Sequence, residues 1–225
     1  MKKFLGKMLG LVLGVLIALG VRYGVSYAGD FIDGLGMDKK IDALAGVWHC
    51  MEDGQEDVQD LLDLVDLYEE EKALVRSDLT FQFVKIVEFT QAQTYRFSYD
   101  VELTKQQVRD MYETAIEDLF ENRAALTEVY GEELAGYTRE QFRQFYAELY
   151  SMASYDELLD TFADNAYDYD KLGEDFETGT YTIKGDDIMC TITGQSQAEA
   201  LGYDLEGGNL TLTYTNLVEY YTRAN

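Results

Sequence analysis

This sequence contains no proline, one tryptophan, one histidine and two cysteines. Each shortage excludes something. An average chain is about 5% proline, so here every turn falls to glycine, aspartate and asparagine. The lone histidine, His49, rules out a histidine-rich metal centre. A Ser-His-Asp arrangement would have to use it without a Gly-X-Ser-X-Gly elbow, which the chain lacks. Cys50 and Cys190 have neither CxxC spacing nor histidines around them, so no zinc site is expected. They leave two alternatives open, one disulfide or two buried thiols. Basic residues are scarce as well, 18 against 43 acidic ones, for a net charge of -25. Lys2, Lys3, Lys7 and Arg22 flank the N-terminal apolar run, so the rest is more acidic still. Such a body repels nucleic acid and anionic lipid head groups, and no nucleic-acid partner is expected.

Signatures of catalysis are missing too. There is no phosphate loop and no dinucleotide fingerprint, so no cofactor is expected. With 43 carboxylates, no pair stands out for glycoside hydrolysis. Asp168-Tyr169-Asp170 followed by Gly173 has the outline of a calcium loop, but Leu172 and Gly179 fall where ligands are needed. The expectation is a protein that is not an enzyme and holds no metal.

What is present points to a folded, exported body. Hydrophobic residues make up 47% of the chain, with 18 tyrosines and 11 phenylalanines, enough apolar area to offset chain entropy. At 225 residues, one main core is expected. Lysines 2, 3 and 7 precede an uncharged run over residues 8–21, and Ser26-Tyr27-Ala28 offers small residues for cleavage. Residues 1–28 therefore read as a signal peptide or, if uncleaved, a membrane anchor. Either way the lysines stay inside and the body lies outside the cytoplasmic membrane, secreted or anchored. Gly6, Gly10, Gly14 and Ala18 recur every four residues, a stripe compatible with self-association between membrane helices. Residues 29–45 read as a linker or short helix.

Strand patterning dominates the two ends of the body. Trp48 and Cys50 lie in a first short strand. Leu79, Phe81, Phe83, Val87 and Phe89 share one face of a hairpin arm, and Tyr95, Phe97, Tyr99, Val101 and Leu103 share a face of its return. Residues 179–223 carry a β-meander with glycine-rich turns at 184–187 and 206–209, and a last strand ends at Arg223. Helical periodicity fills the rest. One amphipathic helix is expected over 57–72. Three more follow from 104 onward, opened by the capping signals Thr104/Gln107, Thr138/Gln141 and Ser154/Glu157. The fold class is thus α+β, an eight-stranded antiparallel sheet or barrel with a helical insertion at about 104–175. An N-terminal hydrophobic helix precedes it.

Gly46-Val47-Trp48 on the first strand and Arg223 on the last resemble the Gly-X-Trp and closing arginine of the lipocalins. Gly179-Thr180-Tyr181 and the Gly-Asp-rich turns are similar to lipocalin-like domains of Gram-positive bacterial surface proteins, some with helical insertions. The resemblance covers about 46–103 and 179–223. It implies a barrel over residues 46–225 that Arg223 closes over Trp48, and a binding role. The expected cargo is a small apolar ligand lined by Tyr95, Phe97, Tyr99, Tyr203 and Tyr214, whose rings give an apolar wall with polar tips. The alternative is a surface module that engages another protein and holds no small molecule.

Overall fold

Residues 34–224 are described by a computed structural model. The expected signal or anchor segment and its glycine stripe lie outside those residues. Among the described residues, no helix is long and apolar enough to cross a membrane.

Eight strands close into an antiparallel barrel, each bonded to the next in chain order and the last to the first. They are β1 (Gly46–Asp53), β2 (Gln82–Phe89), β3 (Thr94–Tyr99), β4 (Glu177–Lys184), β5 (Asp187–Ile192), β6 (Glu199–Glu206), β7 (Asn209–Thr213) and β8 (Val218–Arg223). The expected meander turns are there. Gly185, Gly207 and Gly208 all take positive φ, which a tight hairpin turn needs and a side chain resists. Closure follows the register Trp48↔Arg223 and His49↔Thr222. Barrel closure leaves no open sheet edge.

Before β1 stands a helix, α1 (Gly34–Leu44), where only a linker or short helix was expected. It lies at the end of the barrel that carries the β2–β3 and β4–β5 turns. Lys40 Nζ donates to Gly185 O at 2.8 Å, and Gln91 Nε2 donates to Asp42 Oδ1 at 3.1 Å.

The chain divides into two compact units. The first is the described part of Met1–Cys50 with Ile86–Phe97 and Asp175–Asn225; the second is Met51–Lys85 with Ser98–Glu174. Period-two alternation puts Trp48, Cys50, Val87, Phe89, Tyr95, Phe97, Tyr181, Ile183, Ile188, Cys190, Leu201, Leu210, Leu212 and Tyr221 inside the barrel unit, where with Leu44 they form one buried cluster.

The second unit is mostly helical. Its longest helix, α4 (Val101–Glu121), runs 21 residues and buries Val108, Met111, Tyr112, Ala115, Ile116 and Leu119. It packs against α6 (Arg139–Leu149) and α7 (Tyr155–Ala166). Short helices α2 (Val58–Leu64), α3 (Glu69–Lys72), α5 (Thr127–Tyr130) and α8 (Tyr169–Leu172) complete the unit. The capping signals at Thr138 and Ser154 act as expected: each side chain accepts from the backbone N–H three residues on.

Three expectations need correction. Val101 and Leu103 were expected on the hairpin's return strand, but Asp100 caps α4 by accepting from Leu103 N at 3.0 Å, so the helix begins at Val101. Thr104 is then one turn inside the helix, and its hydroxyl accepts from Val84 N at 2.9 Å instead of capping. The helix expected over 57–72 is broken, because Asp66 takes a φ of 55° and Tyr68 restarts the chain as the cap of α3. Val58, Leu61, Leu62 and Val65 are buried as the period requires, whereas Tyr68 is exposed. Asp168, first ligand of the incomplete calcium loop, caps α8 and pairs with Lys171.

Candidate functional site

The end of the barrel opposite α1 is where β4, β6 and β8 begin. Strands two apart in this up-and-down order run parallel, so their first inward positions meet at the same rim. Those positions are Glu177, Glu199 and Glu219, which share parity with the buried Tyr181, Leu201 and Tyr221. All three glutamates are half-buried.

Phenols surround them. Tyr95 Oη donates to Glu177 Oε1 at 2.8 Å, and Tyr221 Oη donates to Glu219 Oε2 at 2.5 Å. Tyr214 shares hydrogen bonds with Glu219 and Tyr221. Glu199 lies beside Cys190 in the β5–β6 register. Among the described residues, the Glu199 side chain makes no hydrogen bond or ion pair.

Burial sets the protonation of this rim. It pushes the Tyr95 hydroxyl far above its usual value, and Glu177, Cys190 and Glu199 add to the rise. Burial does the same for Tyr214 and Tyr221, with Glu219 close to both. The Cys190 thiol is pushed up to about 12, first by burial and then by Glu177 and Glu199. The phenols therefore stay donors, and Cys190 stays a thiol, which is not the reactive form. The rim can offer carboxylate acceptors and hydroxyl donors above an aromatic wall. Among the described residues, no group of three or more His, Cys, Asp or Glu is placed to hold a metal ion.

The expected site residues divide between the units. Tyr95 and Phe97 meet edge to face at 5.8 Å in the barrel interior, and Tyr203 and Tyr214 pack, partly buried, against the same cluster. Tyr99 falls in the helical unit, where its hydroxyl donates to Glu52 at 3.0 Å and its ring lies 5.6 Å from Phe83. Trp48 is 1% exposed and donates its indole N–H to Leu44 O at 2.8 Å. The Arg223 guanidinium lies 4.8 Å from its ring and donates to Ala43 O and Ala45 O at 2.9 and 2.8 Å. Gly46, at φ +145°, is required there: a Cβ would come within 3.3 Å of Arg223 Nη2. Gly179 has a similar reason, since its Cβ would press on Tyr95 Cε1 at 2.7 Å. Cys50 and Cys190 are both free and buried, on β1 and β5.

Sequence reasoning missed the three glutamates and Tyr221. The signal was available in strand parity, because each glutamate stands an even number of residues before an inward apolar or aromatic position: Tyr181, Leu201 and Tyr221. Comparison with known proteins found no matching family model, no similar curated protein and no similar solved structure.

Proposed function

We propose that this chain is a non-enzymatic, extracytoplasmic, lipocalin-like binding protein that takes a small, largely apolar ligand at the rim of its barrel. The observation that carries the reading is the inward glutamate Glu199, whose side chain has no hydrogen-bond partner among the described residues. A core built only to pack would place an apolar residue there. The interior below is filled by its own aromatic contacts, Phe89 with Tyr181 at 5.1 Å among them, so the ligand sits at the rim, its apolar body against Tyr214 and its polar end toward Glu199. Support for the location comes from the basic start and apolar run of residues 1–28. The lipocalin reading is supported by Gly46, Trp48 and Arg223 meeting at the barrel's closure.

The test is native mass spectrometry of the full chain purified from its own host. A reproducible bound mass that Glu199→Leu removes is expected. A clean apo mass, with no thermal shift on adding apolar amines or alcohols, would overturn the reading in favour of a surface interaction module.

A further inference from the structure

A second site stands on the outside of the barrel, independent of the rim. The outward positions of β6, β7 and β8 line up in two adjacent rows, Asp204↔Thr211↔Tyr220 and Glu206↔Asn209↔Thr222. With the backbone of Leu210 and Tyr221 beneath them, these six residues line a shallow open groove of about 350 Å³. Among the described residues Tyr220, 73% exposed, is the most exposed of the large hydrophobic side chains. Among the described residues, none of the six side chains makes a hydrogen bond or an ion pair.

We propose that this groove binds an oligosaccharide containing amino sugars. A sugar ring has an apolar C–H face and a rim of hydroxyls, and Tyr220 offers a flat ring on which that face can stack. Asn209, Thr211 and Thr222 supply donors and acceptors around it, while Asp204 and Glu206 are two acceptors suited to an ammonium group. An ammonium over the Tyr220 face adds a cation–π attraction. Size agrees: neighbouring strands are about 4.8 Å apart and alternate residues about 6.7 Å, so the rows span about 10 by 7 Å, the breadth of one or two sugar rings. Charge selects among glycans, because a chain of net charge -25 repels sulfated or uronic-acid polymers. A lysine side chain would satisfy the carboxylates but leave the hydroxyl and amide groups unused, so a basic peptide is the poorer fit.

The probe is the β-1,4-linked glucosamine tetrasaccharide, titrated into the full chain by calorimetry with its N-acetylated form as the comparison. Saturable binding that falls with added salt is expected, with the N-acetylated form weaker. Tyr220→Ala should weaken binding about tenfold through loss of the stacking face. The pair Asp204→Asn and Glu206→Gln should remove the preference for the free amine. Because these side chains are exposed and unbonded, the thermal midpoints of the variants should match the parent, which separates lost binding from lost folding. No binding at millimolar tetrasaccharide, equal binding by Tyr220→Ala, or equally tight binding of the N-acetylated form would overturn the proposal.

Discussion

The helical unit and the barrel unit use their acidic residues differently. In the helical unit most of the paired surface acids face arginines and tie helix to helix. Arg109 on α4 holds Asp156 and Asp160 of α7, at 2.9 and 2.8 Å. Arg143 on α6 holds Glu113 and Glu117 of α4, at 3.0 and 2.7 Å, and Arg139 adds Glu117 and Glu121. In the barrel unit one arginine pair stands on the outside, Arg96 with Glu88 at 2.5 Å, while Glu177 and Glu219 meet phenols on the inside. Asp204 and Glu206 on the outside have no hydrogen-bond or ion-pair partner among the described residues. Composition alone makes all 43 acids look alike. Partnership tells them apart: an acid held by an arginine belongs to packing, and an acid left open at a groove or rim is available to a ligand.

If the two units are distinct in this way, damage to one should stay within it. The largest effect expected is from Trp48→Ala, which removes a ring 1% exposed together with its bond to Leu44 O and the face under Arg223. A loss of about 4 kcal/mol is expected for such a truncation. Hydrogen exchange should show protection lost in α1, β1 and β8 and kept in α4, α6 and α7. Protection lost everywhere at once would mean one cooperative unit, and the comparison would fail.

The mirror experiment is in the helical unit, at Glu71. This side chain is 1% exposed and accepts from Tyr68 N at 2.8 Å, from the Tyr130 hydroxyl at 2.9 Å and from the Tyr146 hydroxyl. Glu71→Leu leaves all three donors without their acceptor, and a cost of about 3 kcal/mol is expected, confined to the helices. Glu71→Gln keeps an acceptor oxygen and should lose less. Thermal melts of both variants, with exchange mapped by unit, check this.

How far the sequence made these features legible depends on whether the determining interaction was local. The meander was legible because Gly185, Gly207 and Gly208 carry their turns themselves, and the caps at Thr138 and Ser154 because each bonds only three residues on. Trp48 and Arg223 were legible as a pair only through family resemblance. The break at Asp66 was not, since it depends on Glu71 reaching hydroxyls 59 and 75 residues away. The start of α4 was missed because Thr104 offered a capping signal in sequence, while Val84 claims its hydroxyl across the fold. Of the barrel rim, the tyrosines were visible as an aromatic stripe, but the glutamates read as ordinary charge. Strand parity already placed them on the inward face; what the closed barrel adds is that the three meet at one rim.

The smallest and most specific effect concerns Asp118, buried on α4. Its carboxylate accepts from Arg76 Nη2 at 2.5 Å and from Arg76 N at 2.9 Å. The Arg76 side chain holds its pKa below the ordinary 3.8, against the opposing pull of burial. A carboxyl whose folded pKa is depressed stabilises the fold above its unfolded pKa, and that contribution is lost as pH falls through the folded value. The stabilisation should therefore be whole at neutral pH, begin to fade near pH 4 and vanish at lower pH. Arg76→Ala removes the guanidinium and leaves the backbone N–H in place. At pH 7 the variant should melt below the parent; as pH falls below the unfolded value and through the lowered folded pKa of Asp118, the two curves should converge. The barrel, whose carboxylates meet phenols at the rim, should contribute nothing to that difference. A gap that persists unchanged to pH 2 would show that Arg76 acts through packing of its stem, and the electrostatic contrast between the units would lose its clearest case.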